Sequence, residues 1–123
     1  MQLADLHNAL IADLQQGDFV GPMKKFYADD IVMRTNEEPP VQGRDTLVAA
    51  ESAYVEGVTA FHGVNVLNTA IDDRGDGNGT VFYEVEMHWE HTGTPKVDIR
   101  QMVVEHWRAG KISEIRFYGD ITL

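Results

Sequence analysis

The sequence predicts an α+β fold in which three helices precede an antiparallel β-sheet, and three observations carry that reading. Residues 3–14 place Leu3, Leu6, Leu10, Ile11 and Leu14 at three- and four-residue steps, the period of an amphipathic helix. From Phe61 onward the period drops to two. It is cleanest over 80–91, where Val81, Tyr83, Val85, Met87 and Trp89 alternate with Glu84, Glu86, His88 and Glu90. Helical segments first and a run of strands after them is the element order of an α+β domain.

The first helix spans 3–14 and ends at "QQGD", where Gly17 suits the left-handed position after a helix and Asp18 can cap the next. That second helix buries Phe19, Met23 and Phe26, with Pro22 near its start. "DDIVMRT" forms a short strand and "NEEPP" a loop. "GRDTLVAAESAYVEG" forms a third helix burying Leu47, Val48 and Tyr54. Four strands follow at 61–72, 80–91, 96–108 and 111–119, joined by turns at "DDRGDGNG", "TGT" and "AGK".

A three-residue loop of Thr92, Gly93 and Thr94 sets Glu86 opposite Arg100, His88 opposite Asp98 and Glu90 opposite Lys96, three complementary pairs. The same register puts Val81 opposite Glu105 and Tyr83 opposite Val103. Gln101, Val103, Glu105 and Trp107 therefore face inward, and Met102, Val104 and His106 outward. In the preceding strand His62, Val64 and Val66 fit one face while Leu67, Thr69 and Ile71 fit the other. That break requires a bulge near Leu67 and Asn68 or different strand limits.

With 123 residues, 43% hydrophobic and 24% charged, the chain fits one domain over residues 1–123. No apolar run approaches the roughly 20 residues of a membrane-spanning helix. The N-terminus lacks the basic flank and apolar segment of a signal peptide, so a cytoplasmic location is the expectation. A net charge of −10 disfavours nucleic acid and anionic membranes as partners. The absence of cysteine removes disulfide, thiol and thiolate-metal chemistry. No histidine pair has metal-ligand spacing, and no P-loop, dinucleotide glycine pattern or serine elbow occurs, so no metal and no cofactor is expected. "DDRGDGNG" is no calcium loop, because counting from Asp72 the third position is Arg74 and the twelfth is Tyr83.

Four motifs in order, "LQQGDF", "FYADDIVM", "VQGRDTL" and "VVEHWRAGKISEIRFYGD", make the chain resemble the nuclear-transport-factor-2-like superfamily, especially its SnoaL-like branch of polyketide cyclase-like and ketosteroid isomerase-like proteins. The resemblance covers essentially the whole chain. It implies a curved antiparallel sheet that forms, with three N-terminal helices, a cystatin-like α+β cone around a pocket, and a homodimer built through the outer sheet face. It leaves activity open, because the superfamily holds isomerases, cyclases, dehydratases, epoxide hydrolases and pure binding modules. Alignment with ketosteroid isomerase puts Leu10 at its tyrosine, Thr35 at its base and Val103 at its protonated aspartate, so that mechanism is absent in that form. The same alignment places Thr35, Val103, Glu105 and Trp107 along the pocket wall.

Glu105 is the first catalytic candidate, since a carboxylate facing an apolar cavity is disfavoured in its charged form and becomes a general acid or base. The competing reading pairs it with an inward arginine such as Arg34, or leaves it in water at the cone mouth. His62 is the second candidate, because SnoaL-like proteins often place a histidine early in this strand at the cavity; a satisfied, partly buried histidine is the alternative. Gln101 either donates to a substrate oxygen or caps a backbone group. Thr35, Tyr83, Met87, Trp89, Val103, Trp107 and Phe117 complete the ligand-binding set or belong to the core. His88 and His106 face outward and His7 lies on the first helix without an assigned role.

Two functions follow. One is a cofactor-independent enzyme for cyclisation, isomerisation or dehydration of a hydrophobic carbonyl compound. The other is a non-catalytic ligand-binding or dimerisation module. A cavity that reaches both Glu105 and a second polar group separates them.

Overall fold

A computed structural model of the chain describes residues 2–119. Helices α1 (Leu3–Gln15) and α2 (Gly21–Phe26) lead into β1 (Tyr27–Thr35), the short β2 (Val41–Gln42) and helix α3 (Arg44–Val55). Strands β3 (Val58–Gly75), β4 (Asn78–His91), β5 (Thr94–Arg108) and β6 (Lys111–Tyr118) follow. All six strands form one curved, unclosed sheet in the order β2-β1-β6-β5-β4-β3. One pairing departs from an antiparallel sheet: β1 runs parallel to β6, joined to it only through the rest of the chain. No helix among the described residues is long and apolar enough to cross a membrane.

The predicted β4–β5 register holds at Glu86–Arg100, His88–Asp98, Val81–Glu105 and Tyr83–Val103. The hairpin loop is shorter than expected, with His91 opposite Thr94. The register shifts after Trp89, so Glu90 does not pair with Lys96. The turn expected over the whole of "DDRGDGNG" shrinks to Asp76 and Gly77, both at positive φ, and β3 and β4 continue to its edges.

Strand β3 shifts register between Val66 and Asn68, where the change of side-chain parity demanded it. A second shift lies between Phe61 and Gly63. Bulges bend a strand and raise its twist, so these irregularities in an 18-residue strand contribute to the curvature of the sheet.

Helix α1 buries Leu3, His7, Leu10 and Ile11 against the sheet. Its first turn is tied to the far end of β3, where the Leu3 N–H donates to Asp73 Oδ2 at 3.0 Å. The N–H groups of Gly75 and Leu3 hold the Asp73 carboxyl below its usual range. Gly17 takes the left-handed conformation after α1, and Asp18 accepts from the Gly21 N–H at 2.8 Å, capping α2. On α3 Leu47 is buried and Val48 partly so. Tyr54, expected inside, is 40% exposed, because it stands one turn beyond the covered part of α3. Trp107 is buried, whereas Trp89 is only half-buried, near the open end of β4.

Gly79 shows how tightly this end of the sheet closes. Its φ is 143°, and a Cβ there would stand 2.1 Å from the Asp72 carbonyl oxygen. Gly79→Ala is therefore expected to lower the urea unfolding midpoint by the equivalent of about 1–3 kcal/mol, the usual cost of a residue forced into such backbone.

Candidate functional site

A cavity of about 290 Å³ lies between the three helices and the inward face of the sheet. Thr35, Tyr83, Met87, Trp89, Gln101, Glu105 and Phe117, all expected at a pocket, line it. Helix residues complete the wall, including Leu10 of α1, Met23 of α2, and Glu51 and Tyr54 of α3.

Three expected positions lie elsewhere. Val103 is fully buried in the core beneath the cavity. Trp107 packs against Phe26 of α2 with ring centres 5.9 Å apart, so α2 covers it. His62 is corrected to the outer side of the sheet, with its side chain 53% exposed and its Nε2 2.5 Å from Glu90 Oε2. The bulge between Phe61 and Gly63 explains this position. It inserts His62 as an extra residue, so His62 no longer shares a face with Val64, and Phe61 turns inward against Phe19 instead.

Glu105 forms the cavity floor at 0% exposure. Its Oε2 accepts from the Tyr83 hydroxyl at 2.8 Å. Its Oε1 accepts from Trp107 Nε1–H at 3.1 Å and from His7 Nδ1 at 3.1 Å. The expected pairing with Arg34 does not form. Arg34 alternates with the cavity residues Met33 and Thr35, so it points to the opposite face, where its Nε lies 3.5 Å from Glu114. Burial first, and the charge of Glu105 second, push the Tyr83 hydroxyl pKa well above that of an ordinary phenol.

Sequence reasoning left His7 without a role, although it is only 2% exposed and sits at the heart of the floor. Its signal was present. Leu3, His7, Leu10 and Leu14 step by four, three and four residues, so His7 lies on the apolar stripe of α1.

Glu51 was missed in the same way. It lies four residues after Leu47 and three before Tyr54, on the inner face of α3, and it lines the cavity. Among the described residues it has no hydrogen-bond or ion-pair partner, and burial alone raises its carboxyl pKa above the ordinary value. The Tyr27 hydroxyl is also raised, by burial first and then by the charges of Glu105 and Glu51.

Aromatic rings form the rim. Trp89 Nε1–H donates to the Tyr54 hydroxyl at 2.8 Å, and the Tyr54 ring stacks on His91 at 4.2 Å. His91 Nε2 donates to the Tyr54 carbonyl at 2.9 Å while its Nδ1 accepts from the Gly93 N–H at 3.2 Å, which fixes its neutral tautomer. No group of three or more histidine, aspartate or glutamate side chains among the described residues is placed to hold a metal ion.

The floor should behave as one unit. Tyr83→Phe removes a donor from a buried carboxylate and is expected to cost about 1–3 kcal/mol. Glu105→Ala, which strands three polar groups at once, is expected to cost about 3–5 kcal/mol in chemical denaturation.

No protein-family model and no curated protein matches the chain. Solved structures do. A candidate SnoaL-like polyketide cyclase from Mesorhizobium loti superposes with a TM-score of 0.76 at 24% identity, over 96% of this chain and 99% of that one. A computationally designed 17-OHP binder gives 0.71 at 17% identity, over 94% and 91%. A ketosteroid isomerase-like protein from Catenulispora acidiphila, in complex with trimethylamine, gives 0.68 at 14% identity, over 94% and 85%. At these identities the likeness establishes architecture. The chain shares the fold of these SnoaL-like and ketosteroid isomerase-like proteins, N-terminal helices against a curved, unclosed sheet.

Proposed function

We propose that the chain binds an apolar small molecule in this cavity and that Glu51 exchanges a proton with it, in cofactor-independent cyclisation, isomerisation or dehydration of a carbonyl compound. The observation that carries this is the state of Glu51: a cavity-lining carboxyl whose pKa is raised by burial and which has no polar partner among the described residues. A general acid or base works best when its pKa approaches the working pH, and burial moves Glu51 in that direction. Gln101 lines the same cavity and supplies an amide N–H to polarise a substrate oxygen. Glu105 takes a positioning part, because its oxygens are engaged by Tyr83, Trp107 and His7. The designed 17-OHP binder and the trimethylamine complex support small-molecule occupancy of such a cone.

The second reading, a binding or dimerisation module without chemistry, is favoured by the complete engagement of Glu105. A single domain over residues 1–123 and a cytoplasmic location belong to the same proposal.

The two readings separate at Glu51. If it moves protons, Glu51→Gln lowers kcat/KM for hydrogen exchange next to a ligand carbonyl by about 10²- to 10⁴-fold, read by NMR, while a neutral apolar ligand still binds. Unchanged exchange leaves the binding module standing. The pH dependence of stability provides a further check. With the folded pKa above the ordinary 4.5, the folded state keeps a proton that the unfolded chain has released. Stability therefore falls as pH rises from 4.5 through the folded pKa, and Glu51→Gln removes that loss. The variant is expected to melt higher than wild type at neutral pH and to show no such gain at pH values below both pKa values.

The outer face supports self-association. Met102 is 44% exposed beside the exposed Phe82 and Tyr118, and Val104 lies opposite Phe82. Polar pairs such as His88–Asp98 and Glu114–Arg116 border this strip. Contiguous apolar surface of this kind marks partner sites, and two-fold pairing is the commonest closed arrangement. Met102→Glu with Val104→Lys is expected to convert a dimer into a folded monomer in sedimentation equilibrium. A wild type that is monomeric at tens of micromolar overturns this assignment.

A further inference from the structure

We infer that the molecule this cavity takes carries a positively charged nitrogen, an apolar ammonium seated between Glu51 and the aromatic rim. The inference rests on the preceding reading that a small apolar molecule binds here, and it adds the charge of that molecule.

Charge complementarity is the first ground. Among the described residues lining the cavity, Glu51 and Glu105 are the only formally charged side chains, and no lysine, arginine or histidine joins them. Glu105 already has three donors, so its charge is answered within the protein. Glu51 has none. A partly buried carboxylate in apolar surroundings gains far more from a counter-ion than one in water, because the low local dielectric strengthens the pairing. An anionic ligand meets two carboxylates and no cation. A neutral one leaves Glu51 unanswered.

Ring geometry is the second ground. Trp89 lies 5.9 Å from Phe19 at an interplanar angle of 55° and 6.3 Å from Tyr54 at 88°. Both rings stand at steep angles to Trp89 and do not stack on it, which is how walls of a corner are set. Tyr27 and Phe117 add further aromatic lining. Aromatic faces carry negative potential and attract cations, most strongly where water is displaced. The Trp89 N–H, the positive edge of that ring, is taken up by the Tyr54 hydroxyl. At longer range the net charge of −10 favours the approach of cations.

This gives Glu51 a coherent part in the proposed chemistry. An ammonium beside it favours its ionised form, so arrival of the ligand prepares the carboxylate to act as a base.

The test compares benzyltrimethylammonium with its neutral isostere neopentylbenzene and with phenylacetate, each titrated against the intact protein by calorimetry and tryptophan fluorescence. A quaternary ammonium has no proton to give, so its binding reports charge recognition separately from proton transfer. The expected result is a preference of about tenfold or more for the cation over the isostere, with phenylacetate weakest. In Glu51→Gln that preference should disappear while neopentylbenzene binds as before. Equal binding of cation and isostere to the wild type overturns the inference and leaves the apolar cavity standing. A cation preference that survives Glu51→Gln overturns the assignment to Glu51. If none of the three binds, the reading of the cavity as a ligand site falls with it.

Discussion

Glu105 has no contact with water, and a bare carboxylate in that position would cost several kcal/mol. Three donors from three elements make it tolerable: His7 from α1, Tyr83 from β4 and Trp107 from β5 itself. The geometry is demanding. The hydroxyl of Tyr83 must lie within reach of Oε2, which requires that β4 and β5 keep the register in which Val81 opposes Glu105. The ring of His7 must approach from the other side, which fixes the rotation of α1 about its axis and its height above the sheet. A slip of one residue in the β4–β5 pairing would turn either Tyr83, or Glu105 and Trp107, to the outer face. The network thus selects a single docking of α1, and the space left beyond α1 becomes the cavity.

What shapes that space is the irregularity of β3. A uniform strand of this length would place its side chains by strict alternation. The shift between Phe61 and Gly63 sends Phe61 inward to meet Phe19, and that between Val66 and Asn68 exchanges the faces again. Close approaches of glycine backbone lock the tapering end of the sheet, where the Gly110 N–H donates to the Gly77 carbonyl at 3.0 Å. The opposite end stays open. There α3 and the β4–β5 hairpin are joined by Tyr54, Trp89 and His91, and by the Thr92 N–H donating to the Gly57 carbonyl at 2.9 Å.

The strands of the second half were readable because alternation and complementary charges report one geometry twice. Glu86 with Arg100 and His88 with Asp98 fix the pairing, and the inward orientation of Glu105 follows by counting. Helix contents were harder to read, because a polar residue on an apolar stripe reads as an interruption until its partner is known. His7 and Glu51 both sit at helical spacing from buried leucines, yet what makes each meaningful is a strand residue or a cavity wall far away in sequence. His62 shows the opposite failure. Its candidacy rested on family habit, because the two-residue period left its direction open, and one inserted residue in β3 sends it outward. A bulge leaves a trace in the sequence only where it breaks a long apolar pattern, as near Leu67, and none where it falls beside a glycine such as Gly63.

Two inward carboxylates in one small domain pose a question that burial alone does not answer. Glu105, the more deeply buried, is also the better satisfied, and removing it would strand its donors. That makes it a part of the framework. Glu51 is less buried and has no polar partner among the described residues, so the fold carries a desolvation cost there that their contacts do not offset. A group of that kind is a poor contributor to stability, and Gln or Leu at the same place on α3 would serve the core better. Its placement makes physical sense once something outside the chain completes it: a proton, a cation or a reacting molecule. The floor is closed and the wall is unfinished, so the proposed proton exchange falls to the helix side, at the unfinished carboxylate.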